Sequence, residues 1–143
     1  MRTLPLFLFV AALAQGSIAQ AADLNAEEGL YDITLQTEMP GMPMPSQNMR
    51  QCITQADIKN PQNILKKANQ ADDCVMKDIK QTSNKISFAV TCPKEKFSGQ
   101  GEYNFSGNTY TGVMNMSMPN PMANDKPMPM TVKTTAKRMG PCK

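Results

Sequence analysis

Hydrophobic and polar residues alternate along much of the chain, the pattern of β-strands with one buried face and one wet face. From Tyr31 to Met39 every second residue is apolar or threonine, and the residues between them are polar or charged. From Met128 to Arg138 the same alternation recurs, and a shorter strand that includes Cys52 spans residues 48–53. These segments predict antiparallel strands that share one core.

The segment from Phe97 to Met118 predicts the hairpin around which the sheet is arranged. Gly107 and Asn108 favour the positive φ angles of a tight two-residue turn. The register that follows pairs Ser106 with Thr109, Phe105 with Tyr110 and Tyr103 with Gly112. Its apolar face carries Tyr103, Phe105, Tyr110, Met114, Met116 and Met118. Such a ribbon needs further strands or a helix against its apolar face.

A helical excursion is predicted between the second and third strands. Thr54 stands in an N-cap position with Asp57 three residues later, an imperfect capping box. Asn60 and Pro61 then restart a helix that runs to about Ala68.

Proline-rich segments predict the loops between strands. Three prolines in residues 39–47 and three in residues 119–127 interrupt the alternation, because proline cannot donate to a strand ladder. The prediction is an all-β fold with one short helical excursion. About seven antiparallel strands form a meander that makes a small barrel or half-barrel.

All four cysteines follow residue 21 and predict two disulfides in an oxidising compartment. The hairpin from Cys74 to Cys92 turns at Ser83-Asn84, and this register places Val75 opposite Cys92. Cys74 then points to the other side, although bonded Cβ atoms must approach to about 4 Å. We therefore expect the pairs Cys52–Cys74 and Cys92–Cys142. A one-residue bulge would reverse this choice.

Residues 1–21 have the features of a secretory signal: one charge at Arg2, a short apolar run and an Ala-Gln-Ala cleavage site. We expect residues 22–28 to be a flexible lead-in and residues 29–143 to form a single β domain. The predicted location is periplasmic or secreted. No lipid anchor is expected, because no cysteine precedes Cys52, and no segment after the signal is apolar enough to span a membrane.

Composition narrows the classes of function. The formal net charge is +3 without a basic stripe, so a nucleic-acid partner is not expected. The chain has no histidine, the commonest general base and metal ligand. Its carboxylates are scattered, and it has no glycine-rich phosphate loop. We therefore expect no enzyme activity and no catalytic residues.

The methionine content points to two binding chemistries. There are 13 methionines, and flexible thioethers suit irregular cores and adaptable apolar surfaces. This favours a binding or interaction module with a methionine-rich surface or cavity. Soft thioethers also select Cu(I), so the alternative is a Cu(I) buffer or chaperone. The candidate ligands are Met42, Met44, Met122, Met128 and Met130. A small apolar ligand or lipid carrier is a second alternative, by fold analogy.

Several stretches together resemble a bacterial family catalogued as domain of unknown function 3617 (DUF3617). They are GLYDITLQTEMPGMPMP, the Cys-Ile-Thr after it, a cysteine pair flanking a hairpin, SGNTYTGVMNMSM and the terminal RMGPC. The resemblance covers about Gly29 to Cys142. It implies an exported protein with four cysteines and methionine-rich strands, and brings no established activity, partner or site. Tyr31 stands where members often have tryptophan.

Overall fold

Within the described residues, seven antiparallel strands form one sheet, with two short helices between the second and third strands. The structure is a computed structural model that describes residues 22–68 and 73–143, so the predicted signal lies outside the described residues. The elements are β1 Gly29–Glu38, β2 Gln47–Ile53, α1 Gln55–Lys59, α2 Gln62–Ala68, β3 Val75–Gln81, β4 Lys85–Cys92, β5 Phe97–Ser106, β6 Thr109–Asn120, a 3-10 turn Pro121–Ala123 and β7 Lys126–Gly140.

The strand order is β2-β1-β7-β6-β5-β4-β3, so the sheet is open and its edges are β2 and β3. The first strand pairs with the last, and both helices lie in the one connection that joins the two edges. This confirms the predicted all-β class and seven strands. Of the two predicted forms, the open sheet corresponds to the half-barrel.

The hairpin of β5 and β6 has the predicted register. Phe105 pairs with Tyr110, and Tyr103 pairs with Gly112 across the turn at Gly107. Gly107 adopts a φ of 65°, in the left-handed region that glycine tolerates. The alternation of side chains therefore places the apolar face of this hairpin against the core, as the sequence indicates.

The capping box at Thr54 starts α1. The Asp57 backbone N–H donates to Thr54 Oγ1 at 3.3 Å, and the Thr54 backbone N–H donates to Asp57 Oδ2 at 2.8 Å. Proline at position 61 then separates α1 from α2. Both helices bury apolar side chains in the core, namely Ile58, Ile64 and Leu65.

The disulfides are Cys52–Cys142 and Cys74–Cys92, so the expected pairs Cys52–Cys74 and Cys92–Cys142 are wrong. The reason is a bulge in β3. Near the turn the register is the predicted one, with Gln81 opposite Ile86, but it shifts by one residue between Lys77 and Lys80. Val75 therefore pairs with Thr91, and Cys74 comes opposite Cys92.

Asp78 is the residue at which β3 departs from regular strand geometry. Its φ is 52°, a left-handed conformation within an otherwise extended strand. Aspartate tolerates this region better than most residues. A bulge is the device that re-aims side chains at a sheet edge, and here it brings two cysteines to the same side.

Residues 22–28, which we expected to be a flexible lead-in, dock against the domain. Leu24 is buried in the core, the Glu27 N–H donates to the Gly107 carbonyl at 3.0 Å, and the Gly107 N–H donates to the Asn25 carbonyl at 2.9 Å. The physical reason is that one apolar side chain and a short parallel bridge at Ala26 hold the segment to the hairpin turn.

The predicted loop 119–127 is shorter than expected, because β6 and β7 continue into it. Pro119 pairs with Pro127. Beyond Ser117 and Thr131 neither strand has a second neighbour in the part of the chain that the structure describes, so this end of the ribbon is two-stranded there. Proline is tolerated in such edge strands when its nitrogen faces away from the ladder.

Candidate functional site

A cavity of about 260 Å³ lies on the apolar face of the sheet. Side chains from all seven strands and from α2 line it. They are Ile33, Leu35, Met49, Gln51, Leu65, Met76, Phe88, Val90, Phe97, Tyr103, Tyr110, Met114, Met116, Val132 and Thr134. Because both edge strands contribute to one cavity, the sheet must curl around it.

Glycines on the inner face make room for large side chains next to the cavity. A Cβ atom at Gly101 would overlap the ring of Phe88, and one at Gly112 would overlap the ring of Tyr103. Both rings can therefore lie flat on the neighbouring strand, where an aromatic ring covers a residue without a side chain.

Aromatic rings form one wall of the cavity. Phe88 and Tyr103 stack with centroids 6.0 Å apart, and Tyr103 meets Tyr110 edge-on at 6.0 Å. Behind them, Phe105 and Tyr31 pack against Tyr110 at 5.3 and 5.6 Å. Such arrangements are favourable beyond the area that they bury and hold each ring in place. This wall is therefore rigid.

The methionine side chains of the cavity are flexible, in contrast to its aromatic rings. Met114 and Met116 follow one another along the inner face of β6, Met49 approaches from β2, and Met76 approaches from β3. Methionine is unbranched and polarizable, so its side chain adapts to the shape of a neighbour. A lining that combines packed aromatic rings with adaptable thioethers suits an apolar ligand.

The polar groups of the cavity carry no formal charge at neutral pH. Burial raises the pKa of Tyr103 and of Tyr110, so both phenols stay protonated. Thr134 is 5% exposed, and its hydroxyl group partly offsets the rise in the pKa of Tyr103. The Nε2 atom of Gln51 is buried and has no hydrogen-bond partner among the described residues. None of the described lining residues is Asp, Glu, Lys or Arg.

The five methionines that the sequence suggested as Cu(I) ligands occupy two environments. Met42 and Met44 are 45% and 38% exposed in the loop after β1, and Met122 is 96% exposed in the 3-10 turn. By contrast, Met128 and Met130 are half-buried in β7.

Cross-strand pairing gives Met128 and Met130 other sulfur neighbours. Met118 lies directly opposite Met128, and Met116 lies directly opposite Met130. Directly opposed residues have Cβ atoms about 4.5–5.5 Å apart and share a face. The sheet therefore gathers four half-buried thioethers at the two-stranded end of the ribbon.

Sequence reasoning missed Gln51 and Leu65 as cavity residues. A signal for Gln51 was present, since it alternates with Met49 and Ile53 along β2 and so shares their inward face. No signal of this kind existed for Leu65, because its place depends on how α2 crosses the sheet.

The chain is similar to known proteins at the level of a family profile. The profile of a family described as "Protein of unknown function (DUF3617)" matches residues 26–142. Neither the curated proteins nor the solved structures gave a match. Within residues 22–68 and 73–143, no helix has both the length and the apolar character needed to cross a membrane.

Proposed function

The chain belongs to the DUF3617 family of proteins of unknown function, and we propose that it is an exported, non-enzymatic binding module. In this proposal the cavity on the inner face of the half-barrel holds a small, mainly apolar molecule. The observation that carries the proposal is the cavity itself, with its aromatic wall, its thioethers and its lack of charge. Ligand sites are typically concave, largely apolar and furnished with a few polar groups.

Export is supported by the covalent chemistry of the chain. All four cysteines are paired in disulfides, and disulfides persist in oxidising compartments such as the bacterial periplasm. The sequence features of residues 1–21 agree with a secretory signal. Together, the disulfides and the signal features support a periplasmic or secreted location.

A non-enzymatic role is supported by the chemistry that lines the cavity. General acid–base catalysis needs a titratable group near the working pH. Here the titratable lining groups are two tyrosines whose pKa values are raised by burial, and the chain has no histidine. Such a lining is suited to binding a molecule rather than to transferring protons.

The test is binding of a neutral fluorescent probe, N-phenyl-1-naphthylamine, to the purified protein. The double variant Met116→Trp/Val132→Phe fills the cavity from two neighbouring strands. We expect it to weaken probe binding by about tenfold or more, which corresponds to about 1.4 kcal/mol.

The matched control is Asn115→Trp/Lys133→Phe, which adds the same side chains one residue away on the outer face. It should bind the probe as the wild type does. Equal binding by both double variants, or no binding by the wild type, would contradict the proposal.

A Cu(I) buffer or chaperone is the second candidate function. It is favoured by the four thioethers that Met116, Met118, Met128 and Met130 place opposite one another on β6 and β7. Soft thioether ligands select Cu(I). Met42, Met44 and Met122 lie in exposed segments, so this candidate rests on the paired methionines.

Anaerobic titration against a Cu(I) chelator tests the copper candidate. Met128→Leu/Met130→Leu should lose competition with the chelator, whereas Met122→Leu/Met139→Leu, at exposed positions, should compete as the wild type does. A wild-type protein that takes no Cu(I) from the chelator would end this candidate and leave the cavity proposal intact.

A further inference from the structure

Gln51 contributes an amide group to the lining of the cavity. It lies on the edge strand β2, opposite Tyr31 in the ladder, with its side chain among the lining residues. Its Nε2 atom is buried without a partner among the described residues. Buried side-chain donors nearly always have a partner, so this donor is free to bind a group other than the described residues.

The charge of the cavity limits what that partner can be. Of the described lining residues, none carries a formal charge at neutral pH. A carboxylate or phosphate inside would have no cation to pair with, and an unpaired buried charge is strongly disfavoured. The ligand should therefore be uncharged.

The size of the cavity limits the ligand further. About 260 Å³ equals roughly nine water molecules at their ~30 Å³ share of the liquid. An aromatic ring with a short alkyl chain, or a short alkyl chain alone, fills that space. A larger molecule, such as the three-ring probe N-phenyl-1-naphthylamine, would leave part of itself outside and still compete for the same space.

We infer that the ligand is a small neutral molecule with an apolar body and one hydrogen-bond-accepting oxygen, such as a ketone, aldehyde or ester carbonyl. The Nε2–H of Gln51 donates to that oxygen, while the apolar body lies against the aromatic wall and the thioethers. This inference rests on the proposed function and adds the chemical class of the ligand.

The test compares three compounds of one framework by their displacement of N-phenyl-1-naphthylamine at pH 8. Butyrophenone has a ketone oxygen, n-butylbenzene lacks it, and 4-phenylbutyrate carries a charge. We expect butyrophenone to bind roughly fivefold more tightly than n-butylbenzene, as one net hydrogen bond allows. The charged compound should bind most weakly.

Two variants test whether Gln51 causes the preference for the ketone over the hydrocarbon. Gln51→Met keeps the length of the side chain but removes the donor, so ketone and hydrocarbon should bind equally. Asn48→Leu removes an amide from the opposite, exposed face of the same strand and should keep the wild-type preference.

Equal binding of the ketone and the hydrocarbon by the wild type would overturn the inference and spare the proposed function. A preference that persists in Gln51→Met would do the same. If the wild type binds neither the probe nor any of the three compounds, the proposed function fails as well. The wild-type comparison needs no variant, so it stands even where a substitution impairs folding.

Discussion

Gly112 shows how a single residue shapes the inner face of the sheet. A Cβ atom there would overlap the ring of Tyr103. That ring cannot move aside, because it is held between Phe88 and Tyr110, each with its centroid 6.0 Å away. The absence of a side chain at this position therefore lets the aromatic wall form.

Gly112→Ala should lower the free energy of unfolding by about 1–3 kcal/mol, the usual cost of overpacking a core. Urea denaturation measures the change. Gly140→Ala is the matched control, because a Cβ atom at Gly140 would meet nothing within 4 Å. Equal stability of the two variants would contradict the described position of the Tyr103 ring.

Gln51 offers the opposite case, a residue whose removal should stabilise the fold. A buried donor without a partner costs about 1–3 kcal/mol, and replacing it with an apolar group of similar shape removes that cost. Gln51→Met should therefore raise the free energy of unfolding by about 1 kcal/mol, measured by urea denaturation without ligand. A loss of stability would show that the amide is paired in the folded protein.

At the scale of elements, the start of α1 depends on one buried carboxylate. Asp57 is 3% exposed, and Lys67 Nζ donates to its Oδ2 at 2.6 Å. Burial raises the pKa of this carboxyl group, but the hydrogen bonds from Lys67 and Thr54 outweigh burial and leave the pKa below its usual value. The ionised form therefore stabilises the folded state.

Asp57→Asn should lower the free energy of unfolding by about 1–2 kcal/mol at pH 7. Because the folded pKa is lowered, this stabilisation is complete above the unfolded pKa and is lost as the pH falls through the folded pKa. The gap between wild type and variant should therefore shrink from pH 5 toward pH 2 in urea denaturation. Asp32→Asn, at an exposed position, is the control and should show little change. A gap that stays constant with pH would contradict this role.

The two disulfides differ in the length of chain that they close. Cys52–Cys142 joins residues 90 positions apart, whereas Cys74–Cys92 joins residues 18 apart. In the chain-entropy model the longer loop contributes about 1.4 kcal/mol more. Cys52→Ser/Cys142→Ser should therefore be less stable to urea than Cys74→Ser/Cys92→Ser. The reverse order would show that the β3–β4 hairpin depends on its own bond more than the sheet depends on the terminal one.

Local sequence patterns predicted the strands and helices better than the disulfides that connect them. The turn at Gly107 gave the register of β5 and β6, and the spacing of Thr54 and Asp57 gave the helix start. The disulfide pairing failed because one residue, Asp78, adopts a positive φ. An aspartate at this position does not by itself predict a bulge, because aspartate also occurs at the edge of a regular strand.

At the scale of the whole molecule, contacts between segments that are distant in sequence determine which residues line the cavity. Period-two spacing indicated which residues share the apolar face, and Met114 and Met116 lie there as predicted. Sequence pattern could not show that β1 pairs with β7. Nor could it show that α2 brings Leu65 over the sheet. Both depend on contacts between distant segments, and together they turn an apolar face into a cavity.

The central claim is that an apolar molecule binds inside the half-barrel, and the methionine methyl groups can report it directly. The measurement is an NMR titration of the protein, labelled with ¹³C at its methionine methyl groups, with n-butylbenzene. We expect shifts at the lining residues Met49, Met76, Met114 and Met116 and none at the exposed Met122 and Met139. Shifts confined to Met122 and Met139, or no shifts at saturating ligand, would contradict it.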